Sequence, residues 1–411
     1  MKPAGHTPDH HADHHHDIPH RRLSQVCMPR VGMAQIGFGL PRLGDWVERG
    51  RAARDHLLAS PRFRRWAAAF PLTRPIARRR SRDLFDLCAG FVYSQVLLAC
   101  VRLKLFDIVA DGPRTSAELA RRLALPAEST ERLLRAALSL RLLEKRGDDR
   151  FGLGPLGAAL VDNPAVASMV EHHTMLYADM RDPVALLRGG MRTELSQYWP
   201  YSTTDKPAAL GNEQTAAYTA LMAASQPMVA EEVLAAYPLN RHHRLLDVGG
   251  GDGTFLTHAA ASAPNLQVVL YDLPAVAKAA TERFRAAGLE PRARAVGGDF
   301  FADPLPIGAD VVSLVRVVHD HDDDAALAIL RAARQALDSE GTLLIAEPMS
   351  GAAGAEPVGD AYFAFYLLAM GHGRARTPAE LTRLLNTAGF SRVRQVPTAM
   401  PLLTGLLVAR P

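Results

Sequence analysis

The sequence predicts an α/β fold, a doubly wound parallel sheet preceded by a mainly helical unit with a winged-helix pattern. Three observations carry this. The stretch Leu245-Leu246-Asp247-Val248-Gly249-Gly250-Gly251-Asp252-Gly253 is an apolar run that breaks into closely spaced glycines, as a buried strand does when it turns sharply into a helix. Strand-like and helical runs then alternate as far as Glu347. Upstream, Thr115 to Leu153 reads as helix, helix and small hairpin.

From the N-terminus, residues 1–80 hold 15 Lys and Arg against 6 Asp and Glu, and half of the 16 histidines, whereas the rest of the chain is net acidic. The cluster His10 to His16 has low complexity and no partner motif, which predicts a solvated tail rather than a metal site. Between Asp45 and Phe70, Trp46, Leu57, Leu58, Phe63, Trp66 and Phe70 lie near helical spacing among six arginines. That pattern fits either an anionic membrane interface or a helix packed on its own protein. Arg78-Arg79-Arg80 marks an expected boundary. No apolar run approaches the ~20 residues that span a bilayer, and no signal peptide is evident. Cys27, Cys88 and Cys100 are odd in number and lack metal spacing, so a cytoplasmic setting is expected.

Residues 81–160 read as the helical unit. Leu84, Phe85, Leu87, Val92, Val96, Leu97 and Leu98 predict a buried helix, Thr115-Ser116-Ala117-Glu118 a capped helix start, and Ser129 the start of the next helix. Leu143 to Leu153 forms the hairpin. Arg132, Arg135 and Arg141 raise a ligand-sensing DNA-binding regulator as an alternative, weakened by the nearby acids. Residues 161–240 are helical and rich in methionine and aromatics, including Trp199 and Tyr201 in a loop. They suit a core and an adaptable apolar pocket wall. His172 and His173 receive no catalytic role.

Residues 241–411 carry the sheet. The third glycine of a dinucleotide loop is missing after Gly249, Gly251 and Gly253, where Thr254, Phe255 and Leu256 follow. Asp247 and Asp252 suit a cation better than a pyrophosphate, and Asp272 ends the second strand, where an acid accepts from ribose hydroxyls. Together they favour S-adenosylmethionine over NAD. Asp299, His319 and Glu347 also fall at strand ends, where ligands of such sheets gather. His319 suits a general base and Glu347 its orienting partner, while Asp322 to Asp324 fit a helix cap. No metal site is expected.

Asp247 to Gly253, Asp272-Leu273-Pro274, Gly298-Asp299-Phe300-Phe301, His319-Asp320, Glu347 and Ala388-Gly389-Phe390 resemble the ordered motifs of small-molecule O-methyltransferases related to plant caffeate and isoflavone enzymes and to hydroxyindole O-methyltransferase. The similarity runs from about Asp83 to the C-terminus. It implies a Rossmann-like methyltransferase domain that binds S-adenosylmethionine through Gly249, Asp272, Leu273, Asp299 and Phe300. It also implies His319 as general base and a winged-helix unit that serves a homodimer rather than nucleic acid. In Gly373-Arg374-Ala375-Arg376-Thr377, Ala375 stands where the family often has a second glutamate beside the histidine.

The run Arg82 to Phe91 and the basic extension are similar to the bacterial carotenoid enzymes of the hydroxyneurosporene (demethylspheroidene) type, from purple phototrophs. That likeness implies an apolar acceptor, a hydroxylated carotenoid. It also implies peripheral contact with the inner or photosynthetic membrane through the extension. Methylation of a polyketide or aromatic metabolite is the alternative within the family.

Overall fold

The computed structural model describes residues 43–199 and 211–411. The histidine cluster, Cys27 and Tyr201 lie outside the described residues. The chain divides between Leu87 and Cys88 into two compact units.

The first unit holds α1 (Leu43–Ala59), α2 (Pro61–Ala69) and the start of α3 (Arg74–Arg102). The helical spacing from Asp45 to Phe70 is broken once. Ser60 caps α2 by accepting from the Phe63 amide, and Pro61 takes the first helical position, where no amide hydrogen is needed. α3 departs from expectation in three ways. It runs unbroken through Arg78-Arg79-Arg80, because arginine is a good helix former and nothing there stops the helix. It is also long and apolar enough to cross a membrane by length and composition, since isolated charges interrupt the run without lowering its mean hydropathy far. Finally, Leu84, Phe85, Leu87, Phe91 and Val92 are exposed, and only Leu98 and Cys100 are buried. A face covered by another chain has the same periodicity as one buried in its own.

The second unit begins with the end of α3 and α4 (Leu105–Ala110), followed by β1 (Arg114–Thr115), α5 (Ser116–Leu123), α6 (Ala127–Ser139), β2 (Leu143–Lys145), β3 (Arg150–Leu153) and α7 (Pro155–Ala158). The Thr115 and Glu118 side chains cap α5 reciprocally, as the sequence predicts. α6 starts at Ala127, ahead of Ser129, because Pro126 already has the extended backbone of a cap. Leu119, Leu134, Phe106 and Phe151 pack into one small core beneath the antiparallel strands, ordered β1-β3-β2. Arg132 and Arg135 are engaged by Glu128 and Glu131 one turn earlier, so this helix presents no uncompensated basic face for a nucleic acid.

Among the described residues, α8 (Pro164–Asp179), α9 (Pro183–Arg188), α10 (Glu194–Tyr198) and α11 (Asn212–Ala236) lead to the sheet. Then come β4 (Arg244–Val248), α12 (Thr254–Ser262), β5 (Gln267–Asp272), α13 (Pro274–Ala286), β6 (Ala293–Gly297), β7 (Ala309–Val315), α14 (Asp323–Ala336) and β8 (Leu337–Glu347). α15 (Ala364–Met370), α16 (Pro378–Thr387), β9 (Arg392–Val396) and β10 (Gly405–Arg410) close the chain. The strand order is β6-β5-β4-β7-β8-β10-β9, parallel through β8 and antiparallel beyond it. Neighbours along β4 serve opposite cores: Leu245 packs with Phe255 and Phe284, and Leu246 with Ile329 and Phe390. The winding reverses between β4 and β7, which opens a crevice at the carboxyl ends of these strands.

Candidate active site

Beyond β4 the chain turns through Gly249, Gly251 and Gly253, whose φ angles of 71°, 61° and 83° disfavour any residue with a Cβ. A Cβ on Gly250 would come within 2.6 Å of an Asp247 oxygen, so the loop lies directly over that acid. Asp272, at the end of β5, accepts from the Gly251 amide at 2.8 Å and the Leu273 amide at 2.7 Å. Across the crevice, Gly298 leaves room for the Tyr271 hydroxyl, which would stand 2.2 Å from a Cβ there. Asp299 then accepts from the Phe301 amide, and Phe300 stands edge-on to Phe301 and to His321.

These residues surround a cavity of about 320 Å³ whose wall includes Gly249, Gly251, Asp272, Leu273, Asp299 and Phe300. Asp247 lies behind the wall, fully buried, and accepts from the Ser313 hydroxyl at 2.5 Å. Burial pushes Asp247 up to about 7, helped by the charge of Asp272, and pushes Asp272 up to about 6. Asp252 also lines the cavity, while Arg283 pairs with it and the Thr254 amide and hydroxyl donate to it. Asp252, Asp272, Asp299, Asp320 and Asp322 thus line the cavity with one guanidinium, Arg316, which is tied to Ser225 and Gln226. That donor set suits a nucleoside bearing ammonium and sulfonium groups and would repel a pyrophosphate.

His319 sits in a 3-10 turn, Val318–Asp320, just past β7. Glu347, at the end of β8, accepts from the Val317 amide at 3.0 Å and the Val318 amide at 2.7 Å through one oxygen, and meets His319 Nδ1 with the other. Oδ1 of Asp320 stands 3.1 Å from His319 Nε2 and, among the described residues, has no hydrogen-bond partner. Burial alone would lower the His319 pKa. The carboxylates of Asp320 and Glu347 outweigh it and hold the imidazole above its ordinary value. Burial in turn pushes Asp320 up to about 6. Ala375 supplies no carboxylate, and Asp320 brings a second one to the ring from the adjacent position in the chain.

Sequence reasoning passed over the strap that holds this turn. Arg376 is buried, and its guanidinium donates to the carbonyls of Val318 at 2.8 Å and His321 at 2.6 Å while pairing with Asp323. Gly373 packs so closely that a Cβ would lie 2.2 Å from the His319 carbonyl. The only sequence signal was that both belong to the segment noted for Ala375.

α8 packs against the segment after β8. His172 bonds the Tyr366 hydroxyl at 2.7 Å, and His173 the Tyr362 hydroxyl at 2.8 Å. Burial lowers both histidines, His172 to about 4, so they are neutral partners rather than bases. Tyr362 closes a π-helical turn, Val358–Phe363, whose last residue sets its ring edge-on to His319 at 5.8 Å. Trp199, Leu176, Tyr366 and Met370 pack beside them, so the methionine- and aromatic-rich region forms core and cavity wall together. Among the described residues no cluster is arranged to hold a metal ion.

Two family models match the chain: an O-methyltransferase dimerisation domain over residues 85–163 and an O-methyltransferase domain over residues 190–391. Demethylspheroidene O-methyltransferase of Cereibacter sphaeroides is 42% identical over 92% of this chain and 96% of its own length. The protein of the same name from Rhodobacter capsulatus is 39% identical over 82% of this chain and 84% of its own length. Human N-acetylserotonin methyltransferase, solved in complex with S-adenosylmethionine, superposes with a TM-score of 0.66 at 26% identity, covering 80% of this chain and 97% of that one.

Proposed function

The chain belongs to the S-adenosylmethionine-dependent O-methyltransferase family, and from that premise we propose that its acceptor is a hydroxylated carotenoid methylated with His319 as general base. It uses S-adenosylmethionine, acts on a small-molecule acceptor and carries the dimerisation domain of a homodimeric enzyme. The acceptor assignment rests on the relatives named for demethylspheroidene. It is supported by the apolar part of the cavity lining, Trp199, Met222, Ala223, Val276 and Met370, which suits an apolar molecule with one hydroxyl.

The base assignment rests on one observation, an imidazole held between two buried carboxylates. When bound, the cofactor supplies an electrophilic methyl group on a sulfonium. Asp272 would accept hydrogen bonds from the ribose hydroxyls, Gly249 and Gly251 would allow a close approach to the backbone, and Leu273, Asp299 and Phe300 would line the rest of the cofactor site. Asp247, buried beneath the loop, would favour a cationic ligand above it when ionised. An alcohol oxygen that gains a methyl group must lose its proton, and His319 Nε2 receives it. Glu347 fixes Nδ1 as the donor end of the ring, and Asp320 stabilises the imidazolium that results. A tertiary alcohol is a weak acid, so proton removal accompanies transfer rather than preceding it.

A polyene alcohol dissolves in bilayers, so this reading includes a cytoplasmic enzyme in peripheral contact with the inner or photosynthetic membrane. Incubation with labelled S-adenosylmethionine and a pigment extract tests the acceptor. A labelled carotenoid methyl ether is expected, and label found only in aromatic or polyketide ethers overturns it.

A further inference from the structure

Residues 43–87 precede nearly all of the matched family domains, so their surface answers to something other than the common reaction. On α2, Phe63, Trp66 and Phe70 recur at i, i+3 and i+7 and form a ladder with centroids 5.6 and 5.1 Å apart. Trp66 is 51% exposed, and Leu72 and Ile76, just beyond, are also exposed. On α1, Trp46 is exposed with the Arg49 guanidinium 5.7 Å above its ring. The chain has three tryptophans; two are exposed in this segment, and the third, Trp199, is buried. The same segment carries eleven arginines, no lysine and five acids. Among the described residues only Arg51 and Arg54 of these arginines sit in side-chain ion pairs.

We propose that α2 and its flanking arginines form a docking surface for an anionic lipid bilayer, with the Phe63-Trp66-Phe70 face entering the headgroup boundary. The inference deepens the membrane contact in the functional reading and rests on it. Indole and phenyl rings favour that boundary, where an apolar face and a wet edge are both satisfied, and arginines bind lipid phosphates bidentately. Two other occupants fit less well. A nucleic-acid base needs an open ring face, but Trp66 and Phe70 lie 12° from parallel and stack on each other. A second copy would set one arginine-rich surface against another.

Flotation of the full-length protein with vesicles, in the absence of any acceptor, tests this. Binding is expected to phosphatidylcholine vesicles containing one-third phosphatidylglycerol, about tenfold weaker to phosphatidylcholine alone and in high salt. Two variants, W66A/F70A and R62Q/R64Q/R65Q, should each lose about tenfold in binding. Both should methylate a detergent-dispersed acceptor at the parent rate, which also shows that they fold. Alkaline carbonate should release the bound protein. Equal flotation of parent and variants overturns the proposal, as does resistance to carbonate, which would mean that α3 spans the bilayer. Loss of oligonucleotide binding or of the dimer in these variants, with vesicle binding intact, would assign the surface to those partners instead. The acceptor assignment stands or falls separately, since it is read from the methylated product in detergent.

Discussion

His319 carries the largest expected effect of any single residue. His319→Ala should slow turnover by about 10²–10⁴-fold, with cofactor affinity measured by calorimetry nearly unchanged. Its pH behaviour is a second prediction. A base works only when unprotonated, so activity is lost as pH falls through its pKa. Asp320 and Glu347 hold that pKa above the ordinary histidine value. The acid limb of kcat/KM should therefore lie above the usual imidazole range, and Asp320→Asn should move it to lower pH. A limb that stays in place in the variant would remove Asp320 from the site. His319 and Glu347 were legible because each follows a strand in an alternating βα pattern. Asp320 was legible as a neighbour but not as a partner of the ring, since the residue after a histidine has no fixed side in a sequence. The pairing of Asp252 with Arg283 was hidden for a similar reason, since the two stand 31 residues apart.

Among the elements, the segment after α15 decides whether the turn bearing His319 stays in place. Gly373 has a φ of 79° and no room for a Cβ against the His319 carbonyl. Gly373→Ala should cut kcat at least tenfold and leave the cofactor Kd within about twofold, because the cofactor loop is built on other strands. Stopped assays and calorimetry on the same preparation separate the two. The parallel strands, their helices and the Thr115 cap were readable because each depends on local pattern and capping chemistry. The fate of α3 was not. Its apolar spacing marks a covered face, and only the surrounding structure shows that its own chain leaves Leu84, Leu87 and Phe91 uncovered.

For the whole molecule, the expectation is that this uncovered face takes part in the dimer contact. Leu84, Leu87 and Phe91 lie at i, i+3 and i+7, and the dimerisation domain begins at residue 85. Leu87→Asp with Phe91→Asp should convert the dimer to monomer in sedimentation velocity, because each buried carboxylate would face apolar side chains without a partner. A dimer of unchanged sedimentation coefficient would place the interface elsewhere. Four segments were expected, the first ending near Arg78-Arg79-Arg80, whereas the chain forms two compact units. Their division at Leu87 was hidden because it falls inside a continuous helix.

The acids beneath the glycine loop have one more consequence, which is calorimetric. Burial pushes Asp247 up to about 7 and Asp272 up to about 6. A cation bound above them favours their ionised forms and lowers both values, so binding near neutrality must expel part of a proton into the buffer. The heat of cofactor binding at pH 7 should then vary with the ionisation enthalpy of the buffer, and the slope of that plot counts the protons released. At more alkaline pH both acids are already ionised and the slope should vanish. Cofactor exchange in this enzyme is thus also a small acid–base reaction.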